Sequence, residues 1–135
     1  MNTLRARDVK SGDELPALDV PVTTTLVVVA ALASRDFQDV HHDAALARAS
    51  GAKDVFMNIL TTNGFVGRFV TDWTGPDAII KKVSIRLGVP NYPGDTMKLT
   101  GNVKVVEGSE VEVEVRGANS LGDHVTGTVK VQLPQ

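Results

Sequence analysis

No cysteine occurs among the 135 residues, which excludes disulfides, thiolate zinc sites and cysteine nucleophiles together and fits a reducing compartment, the cytoplasm by default. No dense Lys/Arg cluster occurs either, and 14 basic against 16 acidic residues leave a formal net charge of -2. Nothing in that balance makes an electrostatic footprint for DNA or RNA, so nucleic acid is not an expected partner. The longest apolar stretch, Leu26 to Leu32, falls far short of the roughly 20 residues a bilayer span requires. The first twenty residues are charged and contain proline rather than resembling a signal sequence. The expectation is a soluble protein, with no membrane partner, that starts at or near Met1. Internal repeats, low-complexity tracts and linkers are also missing, and the length is that of one domain over residues 1–135.

What is present changes character along the chain. Residues 1–20 read as a polar arm with an SGDELP turn, and TTTLVVVAALA reads as a buried strand because β-branched residues dominate it. DAALARASG predicts a short helix capped by Asp43 and ended by Gly51. From about Asp54 to Val70, apolar residues at Phe56, Ile59, Leu60, Val66 and Val70 recur with a helical period. Gly64 and Gly67 cost that helix about 1 kcal/mol each against alanine, so a close packing partner is expected there. Beyond Ile79 the period becomes two, in runs around Ile79–Val89, Met97–Val105, Val111–Val115 and Val125–Leu133. The joints NYPGD, EGS and SLGD predict a four-stranded antiparallel meander. The sum is an α+β domain in which a sheet wraps a long helix.

Between the apolar run and the short helix lies RDFQDVHHD, with three aspartates and two adjacent histidines in residues 35–43. Taken alone, it reads as a solvated turn with helix-capping acids. Metal binding by His41, His42 and the acids lacks a third ligand at H-x-x-x-H spacing and is not expected.

The pattern resembles the MaoC-like, R-specific enoyl-CoA hydratase family, whose motif runs Ser-Gly-Asp-x-Asn-Pro-(Leu/Ile)-His-x-Asp. Ser34, Asp36, His41 and Asp43 match it, whereas Arg35, Gln38, Asp39 and Val40 depart from it. VKSGDELP and YPGDTMKLTGNV extend the likeness over most of the chain. RDFQDVHHD, TDWTGP, RLGVP and NSLGDHVTGTV further resemble the small subunits of heteromeric hydratases of bacterial cholesterol side-chain degradation. The resemblance implies a hot-dog fold, a curved antiparallel sheet around a central helix, and hydration of the α,β double bond of a bulky, steroid side-chain enoyl-CoA. It also implies a larger MaoC-like partner in a two-plus-two heterotetramer, which would supply the coenzyme A cleft. No separate cofactor is expected, because coenzyme A is part of the acyl-CoA substrate.

The resemblance assigns catalysis to Asp36 and His41. A carboxylate and an imidazole, with ordinary pKa values of about 4 and 6.5, can share one water and exchange protons near neutrality. Asp36 is expected as base, with His41 orienting the water. An oxyanion site is expected at backbone N–H near the start of the long helix, and aligning VFMNILTT with the family's IAHGMLTL puts Asn58 at its glycine. The same alignment puts Phe56 and Met57 in the substrate pocket, and Trp73, in a loop after the helix, is a pocket wall or core lid. His42 is expected to be exposed or structural and His124 to be an edge or turn residue. Lys81, Lys82 and Arg86 read as a strand's solvent face rather than coenzyme A contacts. Two other classes remain open: a hot-dog acyl-CoA thioesterase, and a non-catalytic acyl-CoA-binding or structural subunit.

Overall fold

The computed structural model describes residues 2–135. In chain order the elements are β1 (Leu18–Pro21), α1 (Thr24–Ala33), α2 (Ala44–Ala49), α3 (Ile59–Thr74), β2 (Ile79–Leu87), β3 (Thr96–Glu107), β4 (Glu110–Asn119) and β5 (Gly122–Gln132), with 3-10 turns at Ala6–Asp8 and Asp39–His41. The strands form one five-stranded sheet in the order β1-β3-β4-β5-β2, antiparallel at every pairing. Alternation works as the period of two predicts: on β4, Val111, Val113 and Val115 point into the core. They meet Val66, Phe69 and Val70 of α3 and Leu99, Val103, Val129 and Val131 of the sheet in one apolar cluster.

Four expectations about the elements are corrected. The run TTTLVVVAALA is the helix α1, not a strand. Thr23 caps it by accepting from the Leu26 amide at 3.0 Å, and only Val27 and Ala31, four residues apart on one face, are buried. Because nearly every residue in the run is apolar, composition hides that period. The polar arm contains β1, which pairs with β3 from Leu18↔Leu99 to Pro21↔Thr96, and Val9, Leu15 and Val20 of the arm are buried. The meander holds for β3, β4 and β5 only, since β2 lies against β5. Gly127 permits that pairing, because a Cβ there would collide with the Ser84 carbonyl oxygen. The long helix begins at Ile59, after the Asn58 cap, and runs through Trp73, which is therefore helical.

The glycines of α3 do not serve a close approach within the chain. A Cβ on Gly64 would meet nothing within 4 Å, and one on Gly67 only the Ile80 Cδ1 at 3.9 Å. That face of α3 is open, as are Ile59 and Leu60 at its start. His124 is corrected in the opposite direction. It is buried because the register steps from Gly117↔Val125 to Ala118↔Asp123, making it the extra residue of a bulge, and a bulge re-aims its side chain against the alternation.

Candidate active site

The end of α1 aims Asp36. The Arg35 amide donates to the Leu32 carbonyl at 3.0 Å and the Asp36 amide to the Ala31 carbonyl at 2.9 Å, the nested pair of a Schellman stop. That stop needs a left-handed residue, and Arg35 takes the role at φ 58°. This is the position at which Arg35 departs from the family's glycine, and the backbone keeps the geometry that glycine favours. Asp36 thus leaves the helix end turned toward the start of α3.

His41 closes the 3-10 turn and is 6 % exposed. Its Nδ1 lies 2.7 Å from the Phe56 carbonyl oxygen. A carbonyl can only accept, so Nδ1 carries a proton, and in the neutral ring Nε2 is left as a lone pair. The Phe56 ring meets the imidazole edge-on at 5.0 Å between centroids. Nε2 faces the Asp36 Oδ2 at 3.4 Å.

Asn58 completes the group. Its Nδ2 donates to the Asp36 Oδ2 at 3.1 Å and to the Ser34 Oγ at 3.0 Å. Its Oδ1 accepts from the Thr61 amide at 3.0 Å, the N-cap bond of α3. The Asp36 carboxyl is held below its ordinary pKa first by the Asn58 hydrogen bond, then by the Gln38 amide and, when its ring is protonated, by His41, with partial burial opposing them. The carboxylate is therefore ionised at neutral pH. Among the described residues, the amides of Asn58, Ile59 and Leu60 donate to no group of the chain, as is usual for the first N–H groups of a helix. Asn58 itself is extended, with φ -79°, and its asparagine needs no glycine-like backbone.

The remaining expected residues are scattered. Phe56 is beside His41, but Met57 is buried with its Sδ 3.6 Å from the Asn91 Nδ2, so it belongs to the core and does not face the dyad. Trp73 sits fifteen residues along α3 from Asn58, or about 22 Å at the helical rise, and lines a separate small cavity with Pro16, Leu18 and Phe69. His42 is exposed, 3.8 Å from Asp39, and Lys81, Lys82 and Arg86 are exposed as well. Among the described residues, no group of three or more His, Asp or Glu side chains is placed to hold a metal ion. A groove of about 600 Å³ between the N-terminal arm and the outer sheet face, lined by Glu14, Thr100, Glu114 and Arg116, includes neither Asp36 nor His41. Leu32, Phe37, Ile59 and Leu60, close in sequence to Ser34, Asp36 and Asn58, are exposed.

Sequence reasoning missed the side chain of Asn58, whose signal was an asparagine three residues before Thr61 at the head of an apolar-periodic run. It also missed that the hydroxyl of Ser34 accepts from Asn58.

No protein-family model matches the chain. It is 52% identical over 122 residues, 90% of this chain and 95% of the relative, to the 3-oxo-4,17-pregnadiene-20-carboxyl-CoA hydratase beta subunit of Mycobacterium tuberculosis. The chain belongs to the MaoC-like hydratase family. A chain in the crystal structure of the ChsH1-ChsH2 complex from Mycobacterium tuberculosis superposes with a TM-score of 0.91 at 51% identity, covering 92% of this chain and 98% of that one. The R-hydratase PhaJ1 from Pseudomonas aeruginosa, at 20% identity, shares the hot-dog fold with a TM-score of 0.89 over 98% of this chain and 87% of that one. The expected α+β hot-dog architecture is thus the observed one. The MaoC-like assignment gives the pairing of Asp36 with His41 its context.

Proposed function

We propose that the chain is the catalytic small subunit of a heteromeric enoyl-CoA hydratase acting on a steroid side-chain thioester. One observation carries the reading: an ionised carboxylate and the bare nitrogen of an imidazole whose other nitrogen is tied to a carbonyl face each other at 3.4 Å. Two acceptors at that separation repel unless a donor sits against both. A water fits, with one hydrogen toward each. Its oxygen bonds to the β-carbon as one O–H bond breaks toward Asp36, and His41 holds the other hydrogen. The alkene electron pair moves onto the α-carbon and thioester oxygen, where the amides at the start of α3 stabilise the charge. Asp36 then returns the proton to the α-carbon, so that water is added and the dyad is restored.

The steroid substrate rests on the name of the 52% identical relative, and the larger MaoC-like partner on the complex in which the similar chain occurs. The exposed apolar residues close in sequence to Ser34, Asp36 and Asn58 support both, because a rigid steroid and a partner surface would each cover them. The partner would supply the coenzyme A cleft, in a two-plus-two assembly.

The test is to co-purify the chain with a larger hot-dog partner and compare kcat/KM for a steroid enoyl-CoA and a four-carbon enoyl-CoA, separating products by mass. Hydrated acyl-CoA formed by the complex, with preference for the steroid, is expected. Free coenzyme A as product would replace the hydratase reading with a thioesterase. Full activity of the chain as an isolated homodimer would reject the heteromer.

A further inference from the structure

Asn58 is 1 % exposed, and every polar valence of its side chain is used. Both amide hydrogens are donated, to Ser34 Oγ and Asp36 Oδ2. Its oxygen accepts from the Thr61 amide at 3.0 Å and from the Thr61 hydroxyl at 2.5 Å. The partners fix which way the amide points, since reversing it would set oxygen against the Asp36 carboxylate and NH2 against the Thr61 N–H. One side chain therefore joins three things: the end of α1 through Ser34, the acid of the dyad, and the first turn of α3 through Thr61.

We propose that the Asn58 side chain is a positioning residue for the hydration reaction, fixing the Asp36 carboxylate against His41 and coupling it to the first turn of α3. This rests on the hydratase reading of the dyad, and it shifts the weight at this position from backbone to side chain. The bond from Nδ2 reaches the same Asp36 oxygen that faces His41, so it selects the rotamer in which the two acceptors confront one another. It also stabilises the ionised form of Asp36, in the direction the carboxyl is displaced. His41 is the titratable group that faces Asp36 across the site. Arg35, Asp39 and His42 on the same loop are exposed, Asp43 is occupied capping α2, and the residues α1 and α3 contribute, Ser34 and Asn58, are neutral.

The decisive variant is Asn58→Gly, because glycine keeps the backbone amide and costs an N-cap only a few tenths of a kcal/mol. In the assembled complex, kcat/KM should fall about 10- to 100-fold, the scale of a lost hydrogen bond to a charged group. The acid limb of its pH profile should move to higher pH as Asp36 loses the donor that favours its anion. Asn58→Asp keeps the cap but turns a second carboxylate toward Asp36, and the limb should move further in the same direction. A carbon-13 titration of the Asp36 carboxyl in wild type and both variants reads the same order without catalysis. If Asn58→Gly keeps wild-type turnover and an unmoved profile while Asp36→Asn is inactive, the positioning role is overturned and the hydratase reading stands. If Asp36→Asn itself retains activity, the dyad reading fails and takes this inference with it.

Discussion

Two buried histidines, His41 and His124, are held by the same first bond and differ in the second. Each has its Nδ1 2.7 Å from a backbone carbonyl, of Phe56 and of Val89 respectively, so each neutral ring presents a bare Nε2. For His124 that nitrogen meets the Thr62 hydroxyl at 2.8 Å, a donor at ideal distance. For His41 it meets the Asp36 carboxylate at 3.4 Å. The first imidazole is saturated and serves the fold, locking α3 to β5. The second, while neutral, is left with an acceptor opposite an acceptor, an arrangement completed by a water that turns a hydrogen to each or by a proton on Nε2. Burial of a histidine is thus no guide to its role, and the partner of its second nitrogen is.

Deleting each group and measuring turnover in the assembled complex separates the two histidines. Asp36→Asn and His41→Ala should each lower kcat/KM by at least about 100-fold, as for a lost acid–base group. His124→Ala, corrected for the folded fraction, should stay within a few-fold of wild type, as should His42→Ala. A dead His42→Ala beside an active His41→Ala would mean that the motif is read one residue out of register. Equal losses for His41 and His124 would erase the distinction between them.

That distinction was half legible in the sequence. The spacing of Asp36 and His41 and the caps at Asp43 and Gly51 could be read because each rests on local chemistry within a few residues. The strands from β3 to β5 could be read because each buries apolar residues at alternating positions and period two survives in the letters, whereas β2 kept the period with its residues only partly covered or exposed. The sequence misled wherever a tertiary contact decides. An all-apolar run carries no period, so the Thr23 cap and the Schellman stop that make α1 a helix, and aim Asp36, were masked by its valines. Four-residue β1 is too short to alternate visibly. The pairing of β2 with β5 rather than β3 is a long-range choice that short turn-rich joints do not encode. His124 looked outward because a bulge is invisible to alternation, and Asn58 looked like a backbone substitute because two of its three partners, Ser34 and Asp36, lie 24 and 22 residues earlier in the chain.

Stability should invert the order found for turnover. Truncating His124 leaves the Val89 carbonyl without its donor and the Thr62 hydroxyl with only a long 3.4 Å bond to the Asn58 carbonyl, in a site only 2 % exposed. His124→Ala should therefore cost about 3 kcal/mol, combining a cavity with unsatisfied groups. His41→Ala releases one carbonyl at the edge of the site and should cost about 1 kcal/mol. Urea unfolding of the two variants with shared slopes tests this, and a His41 loss as large as that of His124 would show that both imidazoles hold the fold alike.

The smallest expected effect is in pH, and its sign follows from burial. Desolvation holds the His124 imidazole below its ordinary pKa, with the Val89 bond opposing only in part. The unfolded chain then takes up a proton that the folded chain declines, so stability is full above the ordinary imidazole range, about pH 6.5, and falls as pH drops through it. Asp36 acts in a second window. Its folded pKa is depressed, so its contribution is present above the ordinary carboxylate range, about pH 4, and is lost as pH falls through the folded value. Being partly exposed, it should contribute little there. Urea midpoints measured between about pH 8 and 5.5, spanning the imidazole range, should decline for wild type and flatten for His124→Gln, which is neutral throughout and long enough to reach Thr62. The decline must stay smaller than the full deletion cost, because protonation sacrifices the Thr62 bond while the ring still fills its space. An unchanged slope in His124→Gln would place the titrating group elsewhere and remove the claim that the saturated histidine is the one that declines a proton.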